Sequence, residues 1–354
     1  MRIIDRYIAV TLLKTTLLAL FVLITLFAFL SLIDQLEEAG RGHYHVIQAI
    51  QYVLLTTPRL AYELIPIAAV IGSMATLGIL SHNSELTVLR TSGVSKLRLG
   101  FSMCKGGVLL ILLAAVIGEL IAPYSEQTAQ HLRSIALTEQ ITLKTKYGFW
   151  SRDGLSFINI RKILPGDQIE DIYIYEFDDD DQLRTSTYAK RAKYVDSQWL
   201  LEDIEQITIH EENVSKQQSK LAAWESLLNP DVINLVTIQP QYLTLWGLFN
   251  YISYLKQNEQ NSQRYEQALW SKIINPFTII VMIILAVPLV KSHTTTTAVG
   301  QRVFTGCLIG IVFHICNQVA GQLGVVYSIN PAISAAVPTI LMSVIVIWLF
   351  HKAA

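Results

Sequence analysis

Apolar residues along this chain gather into long uninterrupted blocks. Thr15–Ile33 runs 19 residues without Asp, Glu, Lys or Arg, Leu64–Leu80 runs 17, Ile273–Val290 runs 18, and Val303–Phe350 runs 48. A helix needs about 20 predominantly apolar residues to cross a bilayer. Only helices or closed barrels satisfy their own backbone in lipid. The pattern therefore predicts a polytopic α-helical membrane protein. Six spans are expected, at about 12–33, 60–80, 102–122, 271–290, 303–321 and 331–350. The 48-residue block must hold two of them, with the break from Gly321-Gln322-Leu323-Gly324 to Asn330-Pro331. The third span is the weakest, with 13 uncharged residues between Lys105 and Glu119, whose charges are expected to snorkel at its ends.

The segment 125–270 follows a different rhythm. Leu155–Ile160, Ile172–Phe177 and Ile204–Ile209 are short β-like runs, separated by turn-formers such as Pro165-Gly166-Asp167 and Asp178–Asp181. An all-β sandwich or jelly roll is expected here. In Ile172–Phe177 the two isoleucines face one way, and Tyr173, Tyr175 and Phe177 the other. Apolar residues on both faces fit either burial beneath helices or an oily groove; ordinary packing is favoured from pattern alone. The plan is thus 1–124 with three spans, 125–270 folded outside the membrane, and 271–354 with three more.

Composition agrees: 52% of residues are hydrophobic and 16% charged, against about 25% charged in soluble domains, and the mean hydropathy is +0.40. Orientation comes from the basic residues. With the N-terminus inside, the short cytoplasmic segments hold ten Lys and Arg and the opposite short segments three, Arg41, Arg59 and Lys272. Both termini are then cytoplasmic and 125–270 lies outside, carrying 14 basic and 21 acidic residues. The first apolar run is too long for a signal-peptide core and reads as an uncleaved helix. Cys104, Cys307 and Cys316 lie in or beside apolar segments and read as small membrane residues, not a disulfide framework.

No catalytic motif emerges. There is no G-x-x-x-x-G-K-[ST] loop, His210-Glu211-Glu212 lacks the second histidine of H-E-x-x-H, and Asp178–Asp181 lacks the alternation of an EF-hand loop. Any energy source must come from a partner. The loop 81–98 is more informative. Ser84 can cap a short helix, Glu85 suits its positive end, Leu86 and Leu89 give it an apolar side, and Gly93 can end it. Such a helix either docks into a partner's groove or is an ordinary surface helix. Within the spans, Arg59 and Glu63 are spaced to pair, and Arg59 can alternatively meet an anionic headgroup. His314, Asn317 and Gln318 share a face of the fifth span, and Gly306 and Gly310 form a G-x-x-x-G on the same helix. That helix packs against another protein, lines a polar cavity, or packs within the bundle.

Several short motifs, taken in order, resemble one family. They include Asp5-Arg6-Tyr7, Asp34-Gln35-Leu36 with Ala39-Gly40, Ser84-Glu85-Leu86 with Ser92-Gly93, and Ile117-Gly118-Glu119 with Ala122-Pro123. Trp150-Ser151-Arg152-Asp153-Gly154, Arg264-Tyr265, Trp270-Ser271-Lys272-Ile273 and Arg302 with Thr305-Gly306 continue the series. The chain resembles the LptF/LptG (YjgP/YjgQ) permeases along its whole length, its G-type members most. The resemblance implies the permease subunit of an ABC transporter that extracts lipopolysaccharide from the Gram-negative inner membrane and passes it to a periplasmic jelly-roll bridge. It implies pairing with an LptF-like permease, two copies of an LptB-like cytoplasmic ATPase and a single-span LptC-like protein. The chain itself then needs no cofactor, since ATP and Mg belong to the ATPase, and no nucleic acid is expected. Ser84, Glu85, Leu86, Leu89 and Arg90 become the coupling helix, and Arg59 and Arg133 the residues that bind lipid headgroup phosphates, a role suited to the guanidinium fork. A relative carries lysine where this chain has Ser31 and a lysine pair where it has Glu37-Glu38, so headgroup contacts must differ here. The resemblance also favours the groove reading of the two-faced strands. Two other readings compete: a permease of the lipoprotein-release type, which has four spans with the domain after the first, and a membrane-anchored periplasmic enzyme.

Overall fold

The computed structural model describes residues 3–40, 44–138, 148–164, 168–178, 182–195, 198–209, 213–224, 240–290 and 299–353. Pro165-Gly166-Asp167, Asp179–Asp181 and His210-Glu211-Glu212 lie outside them. Six helices are long and apolar enough to cross a membrane. They are α1 (Ile3–Leu36), α2 (Val46–His82), α4 (Lys96–Val116) continued through a π turn (Ile117–Ile121) into α5 (Ala122–Thr138), α7 (Gln263–Leu289), α8 (Val299–Val326) and α9 (Pro331–Ala353). The short α3 (Glu85–Thr91) links α2 to α4, and α6 (Leu245–Gln257) precedes α7. One end of the bundle carries α3 and the other carries the sheet domain.

Most helices outrun their expected spans. The third continues to Thr138, well past 122, because polar residues continue a helix once it has left hydrocarbon. The fifth runs through Gly321 and Gly324 to Val326. Gly324 is a packing position rather than a break: a Cβ there would lie 2.5 Å from Ser334 Cβ of α9. Lys105 and Glu119, the charges flanking the third span, both find partners within the chain. Lys105 pairs with Asp5, and Glu119 pairs with Lys272.

The bundle is built on α2, the most enclosed helix, whose Ile65, Ala69 and Leu77 meet Leu12, Met103 and Ile283 in one apolar core. In α1 every buried residue falls between Asp5 and Leu20, and from Phe21 onward none is buried. Gly306 and Gly310 let α8 close on α2: a Cβ would sit 3.2 Å from Ile71 Cα and 2.7 Å from Ile67 Cγ2, respectively. The G-x-x-x-G therefore packs within the chain. The other side of α8 leaves Phe304, Ile311, Val312 and Ile315 exposed.

The inserted domain is all-β and jelly-roll-like. Its strands are β1 (Phe149–Asp153), β2 (Ser156–Leu164), β3 (Gln168–Phe177), β4 (Leu183–Val195), β5 (Gln198–Ile209) and β6 (Val214–Trp224). The described strands form one antiparallel sheet in consecutive order. Alternation fixes the register: Ile160, Ile172, Ala189 and Ile204 form one row across four strands, and a one-residue slip would turn that row outward. Tyr251, Tyr254 and Leu255 of α6 cover this face. On the other face, Phe157 packs edge-on to Phe177 at 5.4 Å, Tyr173 tilts on Tyr188 at 5.0 Å, and Trp150 stacks on Tyr175 at 6.0 Å. The isoleucine face is thus packed under a helix. The aromatic face is half-open.

Candidate functional site: polar clusters at the two bundle ends

At the α3 end, α3 begins after Ser84 and stops at a glycine. Ser84 occupies the cap position in a left-handed conformation (φ 59) and makes no side-chain cap bond, contrary to expectation. Its backbone is turned so that its hydroxyl does not reach the free N–H groups. Instead Glu85 Oε1 accepts from Asn83 Nδ2 at 3.2 Å and from the Tyr7 hydroxyl at 3.3 Å. At the other end the Gly93 N–H reaches the Arg90 carbonyl and the Val94 N–H the Leu89 carbonyl, each at 3.0 Å. With φ +83 at Gly93, this is a Schellman stop. Leu86 is buried in the bundle core and Leu89 packs against it. These leucines anchor α3 to its own chain; the outward residues are Thr87, Val88 and Thr91, with Glu85 and Arg90 half-exposed.

Beside α3 lies a cluster the sequence reading did not foresee. The Asp5 carboxylate is buried. It accepts from Arg98 Nη2 at 3.1 Å on each oxygen, from Ser102 Oγ at 2.6 Å and from Lys105 Nζ. It ties α1 to α4 where Tyr7 ties α1 to α3. Arg302 is also buried, and its guanidinium donates to the Leu77 carbonyl at 3.4 Å and to Ser81 Oγ at 3.2 Å. A cation here suits the carbonyl-rich end of α2.

At the sheet end, Arg59 Nη1 donates to the Tyr242 hydroxyl, Nε lies 3.3 Å from Glu126 Oε2, and Nη1 lies 3.8 Å from Glu63 Oε1. The expected Arg59–Glu63 pair exists but is the looser of the two ion pairs. Glu126 is 1% exposed, and Gln130 donates to it at 2.8 Å and to the Tyr52 hydroxyl at 3.1 Å. Burial pushes the Tyr242 phenol above its ordinary pKa, and Arg59 only partly offsets this, so the hydroxyl stays neutral and accepts from Arg59. Arg133 lies over the Tyr52 ring, 5.3 Å from its centroid. Its Nη2 and Nε donate to Glu38 Oε2 at 2.6 and 3.2 Å. The arginine expected to bind phosphate is therefore already paired with a carboxylate of its own chain.

The π turn joins the two parts of the chain. Lys272 Nζ donates to Glu119 Oε1 at 2.7 Å and to the Gly118 carbonyl at 3.2 Å. Glu119 Oε2 accepts the Leu245 N–H at 2.8 Å at the start of α6. One carboxylate thus links α7 to the helix beneath the sheet. The local widening of a π turn is often found at functional positions. A cavity of about 500 Å³ opens nearby, lined by Arg59, Glu63, Lys272, His314, Asn317 and Gln318 among others. The polar face of α8 lines this cavity, while Gly306 and Gly310 pack on α2. Among the described residues no cluster of His, Cys, Asp and Glu could hold a metal.

Six helices long and apolar enough to cross a membrane, with a sheet domain inserted after the third, define a polytopic membrane protein. The chain matches the family described as lipopolysaccharide export system permease LptF/LptG over residues 6–352. It belongs to that family. It is 33% identical over 353 residues to the lipopolysaccharide export system permease protein LptG of Escherichia coli K12, covering 99% of this chain and 98% of the relative. The protein of the same name from Haemophilus influenzae is 31% identical over 350 residues, covering 98% of both.

Two pairs of the motifs that carried the resemblance meet in space, through Tyr7–Glu85 and Glu119–Lys272, while Asp5 and Gly306 meet residues outside them, Arg98 and α2. Their separation along the chain hid these pairings; the signal was a charge at the edge of an apolar stretch, as at Glu119, Lys272 and Arg302.

Proposed function

We propose that this chain is the G-type permease subunit of an ABC transporter that withdraws lipopolysaccharide from the outer leaflet of the inner membrane and hands it to a periplasmic bridge. The full-length family match, joined to the three-plus-domain-plus-three plan, carries this reading. A lipoprotein-release permease would place its domain after the first span. In this reading the chain is an inner-membrane protein, with the α3 end in the cytoplasm beside both termini and the sheet domain in the periplasm. An LptF-like permease completes the cavity, and the exposed apolar faces of α1 and α8 are the surfaces it would cover. Two LptB-like ATPases hydrolyse ATP with Mg, one docking on α3, and an LptC-like protein joins in the membrane.

Docking on α3 draws on Glu85, Val88 and Arg90. Glu85 also touches Tyr7, so a push on α3 reaches α1 directly. In the reconstituted complex, Glu85→Ala is expected to weaken ATPase docking by about 5- to 30-fold, the effect of losing about 1–2 kcal/mol at an interface. Lipopolysaccharide release should fall with it. Titrating purified ATPase against the membrane subunits measures this, and unchanged docking with unchanged release removes α3 from the coupling role.

A further inference from the structure

The two arginines at the sheet end are both neutralised by the chain's own carboxylates, but the two arrangements differ in kind. Arg59 is held by Glu126, whose side chain is 1% exposed, and by Glu63 and Tyr242 besides. Withdrawing Arg59 would strand a buried carboxylate, a costly state. Arg133 is held by Glu38, and the two side chains are 27% and 29% exposed. Glu38 sits in the turn after α1 and can swing into water at small cost, because half-exposed ion pairs contribute little. Both guanidinium donors meet a single oxygen of Glu38. A phosphate offers more charge and more acceptors to the same fork.

We propose that Glu38 is a built-in competitor for the anionic headgroup at Arg133, so that Arg133 is the exchangeable phosphate-binding residue and Arg59 a fixed structural one. The proposal rests on the export reading above and adds its regulation. Glu38 occupies the fork when no lipid is present and leaves it only to a phosphate. The glutamate thereby sets a threshold of ligand charge: a phosphomonoester displaces it, whereas a neutral sugar headgroup does not.

The test uses the intact transporter complex in nanodiscs, with binding of a bis-phosphorylated lipid A and of its dephosphorylated form measured side by side. Glu38→Gln is expected to bind the phosphorylated lipid about two- to fivefold more tightly, the range an ion pair of this exposure supports. Binding of the dephosphorylated lipid should stay the same. Arg133→Gln should lose at least about tenfold for the phosphorylated lipid, and the double variant should match Arg133→Gln alone. Glu37→Gln makes the same charge change at the exposed neighbour and should have no effect. Unchanged or weaker binding in Glu38→Gln, an equal gain in Glu37→Gln, or a gain that survives in the double variant overturns the competitor role. A loss in Arg133→Gln alongside any of these leaves the headgroup reading standing, whereas no loss in Arg133→Gln removes both. Inorganic phosphate that displaces the lipid at equal concentration would assign the site to the free anion and overturn the lipid assignment.

Discussion

Arg59→Ala is expected to be among the most damaging single substitutions in this chain, lowering stability by about 3–5 kcal/mol, the range for breaking a buried ion pair from one side. The reason lies with its partner. Glu126 keeps the bond from Gln130 but loses the only cation within ion-pairing distance among the described residues, and it is buried at the junction of α2 and α5. Tyr242 and Glu63 lose a partner at the same time. Thermal unfolding in detergent should shift down sharply. Adding Glu126→Gln to Arg59→Ala should recover a good part of the loss, since the stranded charge is then gone. If Arg59→Ala unfolds like the parent but binds phosphorylated lipid weakly, Arg59 is a headgroup ligand and its structural assignment is wrong.

A comparable effect is expected from one methyl group at Gly72. A Cβ there would lie 2.5 Å from Thr16 Cα and 2.7 Å from Thr16 N. These are backbone atoms of α1, so no side-chain rotation relieves the clash. Gly72→Ala must push α1 away from α2, and the Thr15 hydroxyl loses its 2.9 Å bond to the Gly72 carbonyl and its 2.7 Å contact with Thr76. Overpacking usually costs about 1–3 kcal/mol, and a helix-to-helix backbone clash belongs at the top of that range or above it. Since α1 holds no buried residue beyond Leu20, its second half has little else to keep it in place. Folded yield should fall, and protease should cut α1 free. Gly93→Ala acts only on its own turn, with nothing within 4 Å of the added Cβ, and should be much milder.

Hydropathy sufficed for the six spans and for the placement of the sheet domain, because an apolar block in lipid has few other solutions. It did not reveal helix ends. Nothing in the composition of Ala122–Thr138 marks where a helix leaves the bilayer and continues, and Gly321 and Gly324 look like a break until Ser334 is seen against the second of them. The β runs of Ile172–Phe177 and Ile204–Ile209 were legible from alternation, whereas the helix that covers them, Leu245–Gln257, was not separable from its polar surroundings.

Of the pairings around the proposed site residues, only Arg59–Glu63 was legible in advance. Arg59 and Glu85 could be named from their place in the sequence, and Arg133 only through the resemblance. Their carboxylate or hydroxyl partners, Glu126, Tyr7 and Glu38, are 67, 78 and 95 positions away, and no local rule reaches that far. The apolar side of α3 was legible as Leu86 and Leu89, but not that the bundle core lies beneath it. Leu86 and Leu89 face the bundle because a seven-residue helix holds its position only by burying something.

The central claim is that this chain works as one permease in a lipopolysaccharide exporter. The most direct measurement is mass spectrometry of the tagged protein, purified in mild detergent from its native membrane. A second permease of the same topology, a soluble ATPase in two copies and bound lipopolysaccharide are predicted to come with it. Recovery of this chain alone, under conditions that keep other transporters assembled, would contradict the account.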